Sequence, residues 1–217
     1  MFLLARRSAV EARRQALVQL RSVIVTAPEH LREELRRLSL TQLIRRCSRF
    51  RRSHSRTPDE LAVVLALRSL ARRIAAATEE ANELEREIIG HVHALVPELL
   101  EEAGVGPIVA AQLIVSWSHR DRVRSEAAFA RLAGVAPLPA SSGQTVRHRL
   151  SRGGDRQLNR ALHTVVLHPR QHDAATRSYI ARRVSEGKTT REATRILKRY
   201  LARHLYRVMQ NARPLTT

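Results

Sequence analysis

The chain holds a single cysteine, Cys47, in 217 residues. It can form no internal disulfide and no CxxC zinc site, and a reducing, cytoplasmic compartment is expected. Aromatic residues make up 3% of the composition, so any core must be aliphatic, built from Leu, Ile, Val and Ala. Lysine is nearly missing: Lys188 and Lys198 stand alone among 39 basic residues, the rest being arginine. No apolar run reaches the roughly 18 residues of a membrane helix. The opening MFLLARRSAVEARR has too short an apolar stretch for a signal peptide, and its basic amphipathic pattern simply continues downstream, unlike that of a transit peptide. Acids are also scarce, 20 against 39 bases, which leaves a formal net charge of +19 and an isoelectric point near 11.7. A GC-rich genome accounts for arginine over lysine but not for that excess charge. The excess points to a polyanionic partner, for which arginine supplies bidentate contacts to phosphate and to guanine edges.

The sequence that is present reads as helix throughout. Residues 1 to 53 carry basic helical patterns. Thr26 with Glu29, and Ser39 with Gln42, have the spacing of capping boxes. The run RRCSRFRRSHSR, residues 45 to 56, is either a nucleic-acid contact or a solvated face. Thr57, Pro58 and Glu60 make the clearest helix start. Leu67, Leu70, Ile74, Ala77, Ala81, Leu84 and Ile88 follow at alternating three- and four-residue spacing, extended by Val92, Leu95 and Leu99. This is a heptad seam. It fits an intramolecular antiparallel hairpin with residues 8 to 50, or a coiled-coil homo-oligomer.

Gly104 is expected to stop that helix. Gly104 and Gly106, before Pro107, then open a small-residue helix. They read either as a helix-hairpin-helix element offering backbone N–H groups to a phosphate, or as a plain turn between helices. Ser125 is a candidate N-cap for a short helix ending at Gly134. The stretch APLPASSGQTVRHRLSRGGD is irregular, and the helix behind it is expected to be capped by Asp155 and interrupted at Pro169. A last helical region, about 176 to 209, breaks at Gly187. It presents Ile196, Leu197, Tyr200, Leu201 and Leu205 on one face and its basic residues on the other. The expected fold is all-α: a long coiled-coil hairpin over residues 1–97, then a compact helical domain over 98–217.

Metal-dependent cleavage needs converging carboxylates. The acids fall in helical surface patterns or stand alone, as Asp121, Asp155 and Asp173 do. His163, His168 and His172 are separated by Pro169, so no metal site is expected. A serine acting on phosphate needs exposure, an open loop and charge neutralisation. Ser142, before Gly143 and after Pro137 and Pro139, has the first two, and Arg147, Arg149, Arg152, Arg156 and Arg160 can supply the third. A polar surface turn explains the same residues without chemistry.

The blocks GVGPIVAAQLI, FARLAGVAP, SSG and SRGGDRQLNRALHTVV, in that order over residues 98 to 170, resemble the C-terminal transposase domain of the IS-one-ten family of insertion-sequence recombinases. The long preceding helix resembles the coiled coil that joins that family's two halves. The resemblance implies a serine that becomes covalently linked to DNA, matching Ser142 here with Ser141 as the alternative, and strand exchange guided by a structured RNA. It also implies a RuvC-like half with a four-carboxylate magnesium site, which these residues do not match. The resemblance thus covers about half of a complete family member, and magnesium is expected only with the other half. Two readings follow. One is the DNA-binding, serine-bearing part of a transposase, truncated and inactive alone. The other is a non-enzymatic helical nucleic-acid-binding protein. Both expect DNA as partner, with no membrane; the first adds a guide RNA.

Overall fold

A computed structural model describes residues 1–53, 57–139, 148–149, 151 and 153–212. The chain divides into two compact units, Met1–Glu87 and Ile88–Thr217. The elements are α1 (Phe2–Val25), α2 (Glu29–Arg36), α3 (Leu40–Ser48), α4 (Pro58–Leu95), a 3₁₀ turn (Pro97–Leu100), α5 (Pro107–Trp117), α6 (Glu126–Leu132), β1 (Leu138–Pro139), β2 (His148–Arg149), α7 (Arg156–His172), α8 (Ala174–Ser185) and α9 (Thr190–Asn211). The fold is all-α, as expected; among the described residues, strand pairing is confined to the short antiparallel β1–β2 ladder. No described helix is long and apolar enough to cross a membrane.

In the first unit the seam is covered by the same chain. Ala16 and Leu20 of α1, Leu31 and Leu35 of α2, and Leu43 and Cys47 of α3 form one apolar cluster with Val64, Leu67, Ala71 and Ile74 of α4. Arg6 at the start of α1 pairs with Glu85 on α4 at 2.8 Å, which makes the α1–α4 pair antiparallel. The buried line on α4 begins at Val64, earlier than the heptad reading, and takes Ala71 where Leu70 was expected; Leu70 and Leu84 are half-buried. Leu95 is 41% exposed and Val96 is buried instead.

Of the three helix-start motifs read at Thr26, Ser39 and Thr57, two form as reciprocal caps. Ser39 and Gln42 cap α3 reciprocally, and Thr57 and Glu60 do the same for α4. Thr26 does not cap. Its backbone is helical, it closes α1, and its hydroxyl donates to Val23 O at 3.2 Å. The reason is Pro28, which disfavours helical backbone at Ala27, so α2 starts only at Glu29. A proline likewise ends α4. Pro97 lacks an N–H and restricts Val96, which adopts φ −149°, so the helix stops at Leu95 and not at Gly104.

In the second unit α7 supplies the central apolar face: Leu158, Leu162, Val165 and Val166 are buried with Leu113 of α5, Phe129 of α6, and Leu205 and Met209 of α9. Phe129 and Tyr206 rings lie 5.7 Å apart, and Tyr206 donates its hydroxyl to Val123 O at 2.6 Å. Contrary to expectation, α7 runs through Pro169. Proline removes one bond, the N–H to the Val165 carbonyl, and the chain uses the gap. Gly104, at φ +80°, seats against that turn, where a Cβ would lie 3.1 Å from Val165 O and 2.8 Å from His168 Cβ. The break at Gly187, φ +85°, falls between α8 and α9 as expected.

Candidate nucleic-acid interface

Ser141, Ser142, Arg147 and Arg152 lie outside the described residues. What the structure describes is the frame on either side of them. Leu138 pairs with Arg149 and Pro139 with His148, so the chain leaves and re-enters the unit at adjacent points.

Both feet of that segment are pinned to each other. The α6 helix begins with Ser125 accepting from the Ala128 amide and ends in a left-handed turn at Gly134, φ +67°. Gly154 crosses this turn so closely that a Cβ on it would lie 2.5 Å from Gly134 N and 2.8 Å from Leu132 O. The approach requires glycine at 154, and the left-handed turn favours glycine at 134. The Asp155 amide donates to Leu132 O at 2.7 Å. Asp155 caps α7 as expected, accepting from the amides of Gln157 and Leu158 through Oδ1. Its Oδ2 accepts from Ser116 Oγ at 2.7 Å, and Gln112 donates to the same hydroxyl. Asn159 Nδ2 donates to Ala133 O at 2.7 Å, and Lys198 Nζ donates to Asn159 Oδ1 at 2.9 Å.

Lys198 and Asn159 were missed by sequence reasoning. The face of α9 that enters the core is Ala193, Thr194, Lys198, Ala202, Leu205, Tyr206 and Met209. Of the expected apolar face only Leu205 is buried; Ile196, Leu197 and Leu201 are half-buried and Tyr200 is 52% exposed. Small residues make up much of the buried line, which is rotated from the one the large side chains suggest. Lys198 is 7% exposed, and burial, with Arg195 nearby, lowers its pKa. The spacing Thr194, Lys198, Ala202 was the available signal.

The described arginines divide into those already engaged and those left open. Arg203 and Arg207 pair with Glu126 at 2.6 and 3.4 Å. Arg122 donates to Ser116 O, and Arg183 binds Glu186 and Tyr179. Arg156 and Arg160 are exposed and form no ion pair among the described residues. Arg156 is the first residue of α7, at the positive end of the helix dipole. A cation there is electrostatically unfavourable for an isolated helix and favourable for a bound anion. Arg149 lies in β2. The two glycines of the proposed hairpin differ. Gly104 faces α7, a packing role, whereas Gly106 stands at the N-cap of α5 with open space around it.

No three His, Cys, Asp or Glu side chains gather among the described residues. His168 and His172 rings are 5.0 Å apart. Carboxylates of this unit are already engaged: Asp155 and Asp173 in caps, Glu126 with arginines, Glu102 with His204. They do not fit a magnesium site.

Residues 97–181 match the family model for the transposase IS116/IS110/IS902 family. The match takes in the Gly104 turn, the Gly134–Gly154 crossing, α7 and most of α8. Among curated proteins, the insertion element IS110 uncharacterized 43.6 kDa protein of Streptomyces coelicolor is 33% identical over 146 residues, covering 66% of this chain and 36% of that protein. The aligned region is thus little more than a third of that relative's length. From the 3₁₀ turn through α8, the chain is therefore similar to the transposases of the IS116/IS110/IS902 family.

Proposed function

We propose that the chain belongs to this transposase family and acts in DNA transposition as its serine-bearing, nucleic-acid-binding part. The observation that carries the reading is the match over residues 97–181, which includes the serines in sequence and, among the described residues, the Gly134–Gly154 crossing and the basic start of α7. Ser142, or Ser141 beside it, is the residue proposed to attack a DNA phosphate. Arg147, Arg149 and Arg152 would neutralise the charge that develops. Arg156 and Arg160 would hold the adjoining backbone phosphates, with the Gly106 end of α5 as a further backbone contact. A structured RNA as guide, and homo-oligomer formation, belong to the same proposal. Magnesium chemistry would belong to a RuvC-like half; the chain alone is expected to bind DNA without cleaving it.

The binding part is tested with duplex DNA and the full chain. Affinity should fall steeply with salt, about 10³-fold or more between 50 and 200 mM for six or more phosphate contacts. Replacing Arg156 and Arg160 by Gln should reduce the slope of log affinity against log salt by about 2, near 0.9 for each phosphate no longer neutralised. Affinity that hardly changes with salt would refute electrostatic binding. A slope equal to wild type in the double variant would remove these two arginines from the interface. The alternative, a non-enzymatic helical nucleic-acid-binding protein, shares this result and differs only in the fate of the serine.

A further inference from the structure

We propose that Lys198 and Asn159 form a latch that positions the serine-bearing segment and does not touch nucleic acid; as a statement about reaction, this rests on the transposase reading above. Asn159 has one acceptor and one donor end, and both are used. Its Oδ1 accepts from Lys198 Nζ at 2.9 Å, and its Nδ2 donates to Ala133 O at 2.7 Å. An ammonium only donates and a carbonyl only accepts, so the two partners demand the same orientation of the amide. Lys198 therefore dictates which end of Asn159 faces the Ala133 carbonyl.

That carbonyl lies at a critical place. Leu132 O is held by the Asp155 amide, and Gly134 is held by the Gly154 backbone. Asn159 completes three consecutive residues fixed by the stretch that follows the serine segment. Beyond Gly134 the chain reaches β1 and then the serines, so rotation of the Ala133–Gly134 peptide would swing that foot relative to β2.

The choice of residue supports a specific role. Lys198 is one of two lysines in a chain whose other basic residues are all arginine. Burying an ammonium is costly, and the site keeps it. A guanidinium would present a planar fork of five donors to a single amide oxygen, whereas the slender ammonium fits one acceptor at the end of an apolar stem. Thr194 and Ala202, one turn to either side, are buried with it.

The test uses the full chain with Lys198→Met and Asn159→Asp, read by amide hydrogen exchange. The Gly134, Val135 and Ala136 amides, bonded to Arg131 O and Ala130 O, report the foot; the α5 amides serve as an internal reference. Lys198→Met should accelerate exchange at the foot by about tenfold, the factor for about 1.4 kcal/mol, and leave α5 unchanged. Asn159→Asp keeps an acceptor for Lys198 and removes the donor to Ala133 O. The latch requires the same acceleration; a lysine needing only a counter-charge would leave the foot as protected as in wild type, which would overturn the proposal. Equal acceleration at the foot and in α5 would also overturn it, as general destabilisation. A drop in duplex-DNA affinity with unchanged exchange would make Lys198 a nucleic-acid ligand and not a latch. A second arm supplies a RuvC-like half and its RNA: both variants should then form fewer protein–DNA adducts at unchanged DNA affinity. If wild type itself forms none, the transposase reading fails, while the exchange result still decides the latch.

Discussion

Gly154→Ala is the sharpest probe of the crossing that frames the serine segment. The added methyl would meet Gly134 N at 2.5 Å, Gly134 Cα at 2.6 Å and Leu132 O at 2.8 Å. All three are backbone atoms, so no side chain can rotate away. Relief requires the two strands of chain to separate, and the Asp155 amide bond to Leu132 O, at 2.7 Å, spans that same gap. Overpacking costs about 1–3 kcal/mol, and a strained or broken hydrogen bond adds about 1, so a loss of about 2–4 kcal/mol is expected. At about 2–4 °C per kcal/mol for a chain of this size, the melting temperature should fall by about 4–16 °C. Trp117, the single tryptophan, is buried in α5 of the same unit, so its fluorescence in a thermal or urea titration reports unfolding from within this unit. The control is the neighbouring residue. A Cβ on Gly153 would meet nothing within 4 Å, so Gly153→Ala should be neutral or slightly stabilising, by up to about 1 kcal/mol, through the unfolded chain. Equal stability of the two variants would refute the close crossing.

Two further outcomes follow from the core and from the buried lysine. Ile74→Asp places a carboxylate in the apolar cluster of the first unit, where Ile74 is 2% exposed. It should cost on the order of 3–5 kcal/mol, whereas Leu95→Asp, on an exposed position, should stay within about 0.5 kcal/mol of wild type; similar urea midpoints for the two variants would contradict the assignment. Lys198 has a folded-state pKa below its ordinary 10.5, set by burial and by Arg195, with His163 of α7 also nearby. The unfolded chain therefore holds that proton to higher pH than the folded one, and stability rises with pH between the lowered value and 10.5. The stability of wild type relative to Lys198→Met should increase from pH 7 to pH 10 in urea titrations; a constant difference would mean the ammonium is not desolvated.

What was legible in the sequence depended on how local the governing interaction was. The all-helical fold and the α4 seam followed from apolar spacing, and the caps at Ser39, Thr57, Ser125 and Asp155 followed from residue type and position. The Thr26 box matched the pattern and failed because Pro28, two residues on, forbade the backbone it needed. Pro169 has the signature of a helix breaker, yet the helix continues, because the missing bond is a single one and Gly104, distant in sequence, packs beside the freed carbonyl. The buried line of α9 differs from the expected one because small residues and Lys198, not the large apolar side chains, enter the core; the four-residue spacing of Thr194, Lys198 and Ala202 carries that line, but only the Asn159 partner on α7 explains a buried lysine on it. The intramolecular cover of the seam was one of two open alternatives, and the packing of α1, α2 and α3 distinguishes it. Ser141 and Ser142 were found by residue type and block order, and their reading rests on the region of family similarity together with the frame on either side.

The most direct measurement of the central claim is the capture of protein–DNA adducts. The full chain is mixed with a RuvC-like half, its structured RNA and duplex substrate, quenched in denaturant, and scored for covalently bound DNA. Adducts should form with wild type and vanish in Ser142→Ala while duplex affinity is kept. Their disappearance in Ser141→Ala, with adducts persisting in Ser142→Ala, would move the nucleophile by one residue. Adducts that persist when both serines are replaced by alanine, or robust cleavage of DNA by the 217-residue chain with nothing added, would contradict the account.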